Sequence, residues 1–269
     1  MVGQDRLIKD LANQLPRFTI IVGDKGSGKK TLCRELSRIY DMTFCFEPDN
    51  KVDTVRQVIA EAYKNTSPMV YIFADADNMS GNAKNALLKV TEEPPNNSYF
   101  IITLESLSNT LETIRSRGTV YYMDTYTEDE LHTFASSIDT SLNDEKWILI
   151  RSICWNPGEI QEVITDFDIV EFYNFVDKVI SYIDKASGSN VFKISMNIKL
   201  KDETKGYDLK LFFRMFIVAC RDRYEQEKDM KYLQGIQITS QYLSELYITG
   251  ISKQGVLDLW ILDMRKEWM

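Results

Sequence analysis

A glycine-rich segment between an apolar run and a helix-like stretch is the feature that most constrains the fold. Residues 23–29 read Gly-Asp-Lys-Gly-Ser-Gly-Lys and fit the pattern G-x-x-x-x-G-K, between the apolar run 18–22 and the helix-like stretch 31–40. Glycines let backbone N–H groups curl around phosphate oxygens, the helix N-terminus adds a favourable dipole, and Lys29 can reach terminal phosphates. The segment is interpreted as a phosphate-binding loop. Its candidate nucleotide-binding residues are Gly23, Asp24, Lys25, Gly26, Ser27, Gly28, Lys29, Lys30 and Thr31.

Short apolar runs alternate with helix-like stretches through the first half of the chain. Strands are predicted at 18–22, 42–46, 69–73, 99–103 and 120–123, with helices at 31–40, 52–63 and 83–91. This alternation predicts an α/β fold with a parallel sheet covered by helices on both faces.

Beyond Asp124 the strand signal fades and the pattern becomes helical. Thr127 to Glu130 resembles a capping box, in which a hydroxyl and a carboxylate three residues later satisfy backbone donors. Helices are predicted at 128–137, 143–152, 157–165, 170–185, 209–228, 239–246 and 253–266, while residues 190–198 fit either a strand or a helix. The helix-like spacing of four late aromatic residues predicts core packing rather than base stacking. They are Tyr242, Tyr247, Trp260 and Trp268.

These patterns divide the chain into three predicted parts. They are an α/β domain over residues 1–125, a small helical lid over 126–166 and a helical C-terminal domain over 167–269. Residues 126–165 carry 2 basic and 8 acidic side chains, so most of the chain's net charge of −8 falls in the lid. Binding to DNA depends on neutralising phosphates with Lys and Arg, so a nucleic-acid role would need basic partners.

Cysteine usage and hydropathy exclude several classes of protein. The four cysteines form no C-x-x-C pair, so a sequence-local zinc module is excluded and a disulfide framework is not expected. No run of about 18 apolar residues predicts a membrane span, and the first residues do not resemble a signal peptide. The sequence predicts a cytoplasmic protein without a metal site.

The residues that would organise a metal beside the phosphate loop are altered. Lys30 stands where a Ser or Thr hydroxyl would ligate Mg²⁺, with Thr31 one place later. The strand over 69–73 is followed by Ala74 and Asp75, where an Asp for the metal and a Glu for the attacking water are expected. Shifting the register by one would restore an Asp but spoil the match at Ala76 and Asp77. In the preferred register both metal-organising groups are missing, and ATP hydrolysis at this site is not expected.

Three further stretches carry a resemblance to a known family. Residues 77–79 and 85–95 read Asp-Asn-Met and Asn-Ala-Leu-Leu-Lys-Val-Thr-Glu-Glu-Pro-Pro, and residues 116–118 read Ser-Arg-Gly in place of Ser-Arg-Cys. They resemble the delta-prime subunits of the bacterial DNA polymerase III clamp loader, AAA+ relatives of the small subunits of replication factor C. Val2-Gly3-Gln4 resembles the AAA+ segment that lies near the adenine. The likeness is strong over residues 1–125, moderate over the lid and faint beyond it.

The resemblance implies a subunit with an AAA+ module, a lid and a helical collar that joins a ring-like pentamer. Arg117 would act in trans as an arginine finger on ATP held by the neighbouring subunit; without the resemblance, a structural role at a helix end would be preferred. Gly158 stands at the place of the lid's sensor Arg, and the polar sensor after the third strand is Thr103, or is lost at Leu104. Many bacterial members insert a four-cysteine zinc module near residues 45–70, and its absence here predicts no zinc.

The implied function is that of a stator that does not hydrolyse ATP itself. Its ligand would be ATP or ADP, bound but weakly or not hydrolysed. Its partners would be clamp-loader ATPase subunits, a delta-type subunit, a sliding clamp, and primer–template DNA through the assembled complex. Two alternatives stay open: an active AAA+ ATPase whose metal site is rescued by Thr31 or Asp75, and a phage-type interaction protein that modulates a host loader.

Overall fold

The computed structural model describes residues 1–47, 49–185, 198, 208–246 and 252–268. Residue contacts divide the chain into two compact units. The first comprises Met1–Ser137 and Asn156–Glu159, and the second comprises Ile138–Trp155 and Ile160–Met269. The three-part division with boundaries after residues 125 and 166 stays a prediction.

A sheet of five parallel strands forms the centre of the first unit. The strands are β1 (Phe18–Val22), β2 (Thr43–Phe46), β3 (Met69–Phe73), β4 (Ser98–Leu104) and β5 (Thr119–Tyr122). Their order is β2-β3-β4-β1-β5, so β1 pairs with both β4 and β5. Every residue of β1 is buried, as expected for a parallel strand covered on both faces. The predicted parallel sheet is confirmed.

Helices cover both faces of this sheet. They are α1 (Asp5–Asn13), α2 (Lys29–Ile39), α3 (Val52–Ala62), α4 (Gly81–Glu92) and α5 (Glu112–Arg115), and α6 (Glu128–Ile138) follows β5 along the chain. One apolar cluster joins one face of the sheet to α3, α4 and α5, and a second joins the other face to α1 and α2. The predicted capping box is confirmed, because Thr127 N donates to Glu130 Oε2 at 2.8 Å and Glu130 N donates to Thr127 Oγ1 at 3.3 Å.

The second unit is helical over its described residues. Its helices are α7 (Asp144–Ile153), α8 (Pro157–Asp166), α9 (Ile169–Lys185), α10 (Leu209–Glu227), α11 (Met230–Glu245) and α12 (Lys253–Glu267). The first residues of α8, up to Glu159, belong to the first unit. The helix predicted over 239–246 starts earlier, at Met230, because the Asp229 side chain accepts from Lys231 N and caps it. The alternative of a strand or a helix over 190–198 falls on residues outside the described ranges, apart from Ile198.

An aromatic cluster forms the core of the second unit. Trp260 is fully buried, its ring lies against Phe212, Phe213 and Phe216, and its Nε1 donates to Thr239 Oγ1 at 2.9 Å. The predicted core packing is confirmed for Trp260, Tyr242 and Trp268, which are at most 9% exposed, while Tyr247 lies outside the described residues. No helix in the ranges that the structure describes is both long and apolar enough to span a membrane.

Candidate functional site

The phosphate loop connects β1 to α2 at the carboxyl edge of the sheet. Gly23 N donates to Leu104 O at 3.0 Å, which continues the pairing of β1 with β4. Gly26 and Gly28 have left-handed backbones, with φ of 86° and 88°, so both positions favour glycine. Gly28 caps α2, which begins at Lys29. The predicted arrangement of strand, glycine-rich loop and helix is confirmed.

Lys29 folds back onto the loop. Its side chain is 5% exposed, and Nζ donates to Gly23 O at 2.5 Å and to Asp24 O at 2.9 Å. Burial lowers the pKa of the Lys29 ammonium, and the nearby carboxylates, with Glu105 and Asp75 first among them, oppose that shift. An ammonium held at this place contributes positive charge to the loop.

One buried polar atom at the loop lacks a partner in the described part of the chain. The Ser27 residue is only 5% exposed, yet its buried Oγ makes no hydrogen bond to the described residues. An orphaned hydroxyl beside glycine N–H groups is the kind of donor that a phosphate oxygen satisfies. The loop itself therefore fits a phosphate group.

The neighbouring metal position does not fit Mg²⁺. Lys30 Nζ lies 2.7 Å from Asp75 Oδ2, and both side chains are 49% exposed. An ammonium has no lone pair to offer a cation, and Ala74 has no carboxylate. Across the residues with described coordinates, no group of three or more His, Cys, Asp or Glu side chains is placed to hold a metal ion. The residues present therefore fit a phosphate but not a magnesium–nucleotide complex.

Other side chains fix the turn that follows β3. Asp75 has a left-handed backbone (φ 54°), its N–H donates to Thr103 Oγ1 at 2.9 Å, and Asn50 Nδ2 donates to the Ala74 carbonyl at 2.8 Å. Thr103, the predicted polar sensor, is therefore tied to Asp75. The role of Asn50 was not predicted, since a lone Asn between a strand and a helix carries no distinctive signal.

Asp77 serves a structural purpose in the same turn. Its carboxylate accepts from the backbone N–H of Glu105 at 2.8 Å and from Asn109 Nδ2 at 3.0 Å. Lys84 Nζ adds a bond of 2.5 Å to the Asn109 carbonyl. These bonds join the end of β3 to the loop after β4.

Tyr126 and the first residues of the chain lie over the loop. Tyr126 Oη donates to the Ser27 carbonyl at 2.7 Å, and burial raises the pKa of Tyr126 to about 12. Gln4 is 4% exposed, with Nε2 donating to Asp124 O and Oε1 accepting from Asp124 N, both at 2.8 Å. The side chain of Met1 also approaches, because a Cβ added to Gly28 would lie 3.0 Å from Met1 Cε. Sequence reasoning missed Tyr126.

The start of α8 rests directly on the loop tip. Gly158 N donates to Gly26 O at 3.0 Å, and Asn156 Oδ1 accepts from Glu159 N to cap the helix. A Cβ added to Gly158 would lie 2.4 Å from Gly26 Cα, a separation that real Cβ atoms do not show. The place where the resemblance implies a sensor Arg is therefore a backbone contact that leaves no room for a side chain.

Arg117 lies just after α5, on the surface. Nη1 donates to the Thr113 carbonyl at 2.8 Å, and Nη2 lies 2.9 Å from Glu92 Oε1. The Arg117 side chain is 36% exposed. Within the described chain its hydrogen bonds and ion pair go to α4 and α5, so the structure does not bring Arg117 to the phosphate loop.

Comparison with known proteins finds sequence similarity over part of the chain. Residues 47–127 match the family described as "DNA polymerase III, delta subunit". The DNA polymerase III subunit gamma of Buchnera aphidicola is 23% identical over 173 residues, which are 51% of this chain and 48% of that protein. The delta-prime subunit of Haemophilus influenzae is 28% identical over 58% of this chain and 49% of the length of that subunit. The delta-prime subunit of Yersinia pestis is 35% identical over 45% of this chain and 38% of the length of that subunit. The chain thus spans about half the length of the curated relatives it matches.

Solved structures show the same fold at low sequence identity. A DNA polymerase III gamma subunit-related protein from Thermotoga maritima has a TM-score of 0.50 and 13% identity, covering 99% of this chain and 100% of its own. The Thermotoga maritima RuvB Holliday junction branch migration motor has a TM-score of 0.50 and 15% identity over 82% of this chain and 78% of its own. The chain therefore shares the fold of these solved structures, and part of its sequence is similar to the delta-prime and gamma subunits of DNA polymerase III.

Proposed function

We propose that this chain is a delta-prime-like stator of a sliding-clamp loader. It does not hydrolyse ATP, and it offers Arg117 to ATP bound by a neighbouring ATPase subunit. The observation that carries the proposal is the ion pair between Lys30 and Asp75, at 2.7 Å. This pair stands at the position where an active AAA+ site needs a hydroxyl ligand and a free carboxylate for Mg²⁺.

The ion pair disfavours a metal through charge and through ligand chemistry. Near a protein surface, two unit charges 4 Å apart interact by about 4 kcal/mol, so a divalent cation beside Lys30 would meet substantial repulsion. Asp75, whose place corresponds to the acid that polarises water, already has its charge balanced by the ammonium. Ala74 supplies no replacement carboxylate. Without Mg²⁺ the charge that develops during phosphoryl transfer is not neutralised at this site.

The exposure of Arg117 supports a role toward another chain. A guanidinium stays charged at all relevant pH values and can approach phosphate oxygens in a planar, two-bonded way. Arg117 is partly exposed and bound to its own chain through α4 and α5 rather than through the phosphate loop. In the proposed assembly it acts in trans, as arginine fingers do in other nucleotide hydrolases.

The proposed partners follow from this arrangement. They are the loader's ATPase subunits and a delta-type subunit, with the sliding clamp and primer–template DNA reached through the assembled complex. The net charge of −8 supports indirect contact with DNA, because an acidic chain contributes little to phosphate neutralisation. The helices α9 to α12 are the proposed collar.

Asp75→Asn separates the stator from an active ATPase. Asn keeps the size of the side chain and tolerates the left-handed backbone at this position, so the turn is expected to fold normally. In the isolated chain, where no partner ATPase contributes, we expect ATP turnover of the variant to stay within about twofold of wild type, since the acid of an active site would contribute far more. A loss of tenfold or more would favour hydrolysis in this chain and contradict the stator.

A further inference from the structure

We propose that Glu92 is a positioning residue for Arg117. In this arrangement the Glu92 carboxylate holds the Arg117 guanidinium at the protein surface, oriented so that it can bind a phosphate of ATP on a neighbouring subunit. The inference rests on the proposed function of Arg117 as an arginine finger. It assigns a purpose to one of the two consecutive acids at the end of α4.

The backbone that carries Arg117 is fixed by the core beneath it. Arg117 N and Gly118 N both donate to the Ile114 carbonyl, at 3.2 and 3.0 Å. Ile114 is fully buried in the cluster that joins α5 to the sheet. Gly118 lies so close to β1 that an added Cβ would come within 2.7 Å of Ile20 Cδ1. The main chain is therefore set, and the freedom that remains lies in the long Arg side chain.

Two contacts remove much of that freedom. Nη1 of Arg117 donates to the Thr113 carbonyl at 2.8 Å, and Nη2 lies 2.9 Å from Glu92 Oε1. Because the guanidinium is planar, contacts at two of its nitrogens define its plane as well as its place. A guanidinium has five N–H donors, so these two contacts leave three for phosphate oxygens.

Glu92 itself projects from a fixed helix end. It is the last residue of α4, and Leu87 and Val90, on the preceding turn, are buried in the sheet cluster. Tyr63, just after α3, donates from Oη to the Glu93 carbonyl at 3.0 Å. The carboxylate thus comes from an element anchored to the core and to α3, while Thr113 comes from α5.

The strength of the contact suits positioning rather than locking. Both side chains are solvent-exposed, at 36% for Arg117 and 54% for Glu92, so the ion pair is weak and an incoming phosphate can share or replace it. Losing a weak positioning contact slows a reaction by a small factor, about three- to fivefold. Losing the guanidinium removes the entire contribution of the arginine finger to the rate of ATP hydrolysis.

The test is a double-mutant cycle in the reconstituted loader, built with the ATPase and delta-type subunits of the same source. Glu92→Gln is expected to lower kcat for ATP about three- to fivefold with KM within twofold, because the guanidinium is less well placed in the transition state. Glu93→Gln is the matched control, since it makes the same change one residue later, and within the described residues its carboxylate forms no ion pair. Its kcat is expected to match wild type. In an Arg117→Ala background, Glu92→Gln is expected to add nothing.

A second readout uses the isolated chain and does not depend on the partner. In ¹⁵N-edited NMR, Glu92→Gln is expected to speed hydrogen exchange and increase motion at the Arg117 guanidinium, and Glu93→Gln is not. Unchanged Arg117 dynamics, an unchanged or raised kcat for Glu92→Gln, or an equal loss in the Arg117→Ala background would each overturn the positioning role. If Arg117→Ala itself left turnover intact, the finger of the proposed function would fail instead, while a change in Arg117 dynamics would still show that Glu92 orders the side chain.

Discussion

Replacing Arg117 by alanine is expected to slow ATP turnover at the neighbouring subunit's site by about a thousandfold, the lower range of effects seen for arginine fingers. Without the guanidinium, the negative charge that develops on the phosphates in the transition state loses a fixed positive charge and a planar set of hydrogen-bond donors. The measurement is single-turnover hydrolysis in a loader reconstituted with wild-type or variant chain. The fold should survive, because the contacts of Arg117 with Glu92 and Thr113 are on the surface.

Arg115→Ala supplies the matched control for this experiment. Arg115 is also exposed and is the last residue of α5, two positions before Arg117. Its loss changes the net charge equally, so a general electrostatic effect would appear in both variants. Comparable slowing by the two variants, or no slowing by Arg117→Ala in a fully assembled loader, would refute the finger.

Gly158→Ala is expected to destabilise the chain by about 2 kcal/mol, in the range that overpacking of a close contact costs. The added Cβ would stand 2.4 Å from Gly26 Cα and 2.8 Å from Gly26 O, and both are backbone atoms that cannot rotate away. The loop tip and the start of α8 must then separate, and the bond from Gly158 N to Gly26 O is weakened. Urea unfolding followed by circular dichroism measures the change.

Gly255→Ala controls for the general effect of alanine in a helix. Gly255 lies in the first turn of α12, and an added Cβ there would meet Ser252 at ordinary distances of 3.6 and 3.7 Å. Alanine is the better helix former by about 1 kcal/mol, so this variant should be as stable as wild type or more so. If Gly158→Ala proved equally harmless, the tight contact between α8 and the loop would be wrong.

Local patterns were sufficient for most of the first unit. The apolar runs at 18–22 and 69–73 match β1 and β3 to the residue, because strands buried on both faces read as continuous apolar segments. The glycine pattern located the loop because its backbone needs left-handed conformations at Gly26 and Gly28. The capping box located the start of α6 through a hydroxyl and a carboxylate at the required spacing.

Elements without such local signals were missed. Helix α1 was not predicted, although Leu7, Ile8 and Leu11 follow helical spacing, because no side-chain cap marks its start and it has only nine residues. Helix α5 has four residues, too few for any periodicity to appear. The first half of α11 was missed because Gly235, which is buried against the Trp268 ring, interrupts its pattern.

The site's long-range contacts could not be derived from the sequence. Tyr126 bonds to Ser27 across 99 positions, and the pairings of Lys30 with Asp75 and of Gly158 with Gly26 likewise join distant segments. The loss of the metal-organising residues could be predicted from motif positions. That Lys30 neutralises Asp75 could not, because a motif records which residues are present and not which side chains meet.

The central claim is that this chain keeps a phosphate loop but has replaced its magnesium site with an internal ion pair. The most direct test measures the affinity of the isolated chain for a fluorescent, non-hydrolysable ATP analogue, once with Mg²⁺ and once with EDTA. The predicted result is the same affinity in both conditions, with a Lys30→Thr, Ala74→Asp variant as the control that restores both metal-organising groups. An affinity that rises tenfold or more with Mg²⁺ in the wild-type chain would contradict the account.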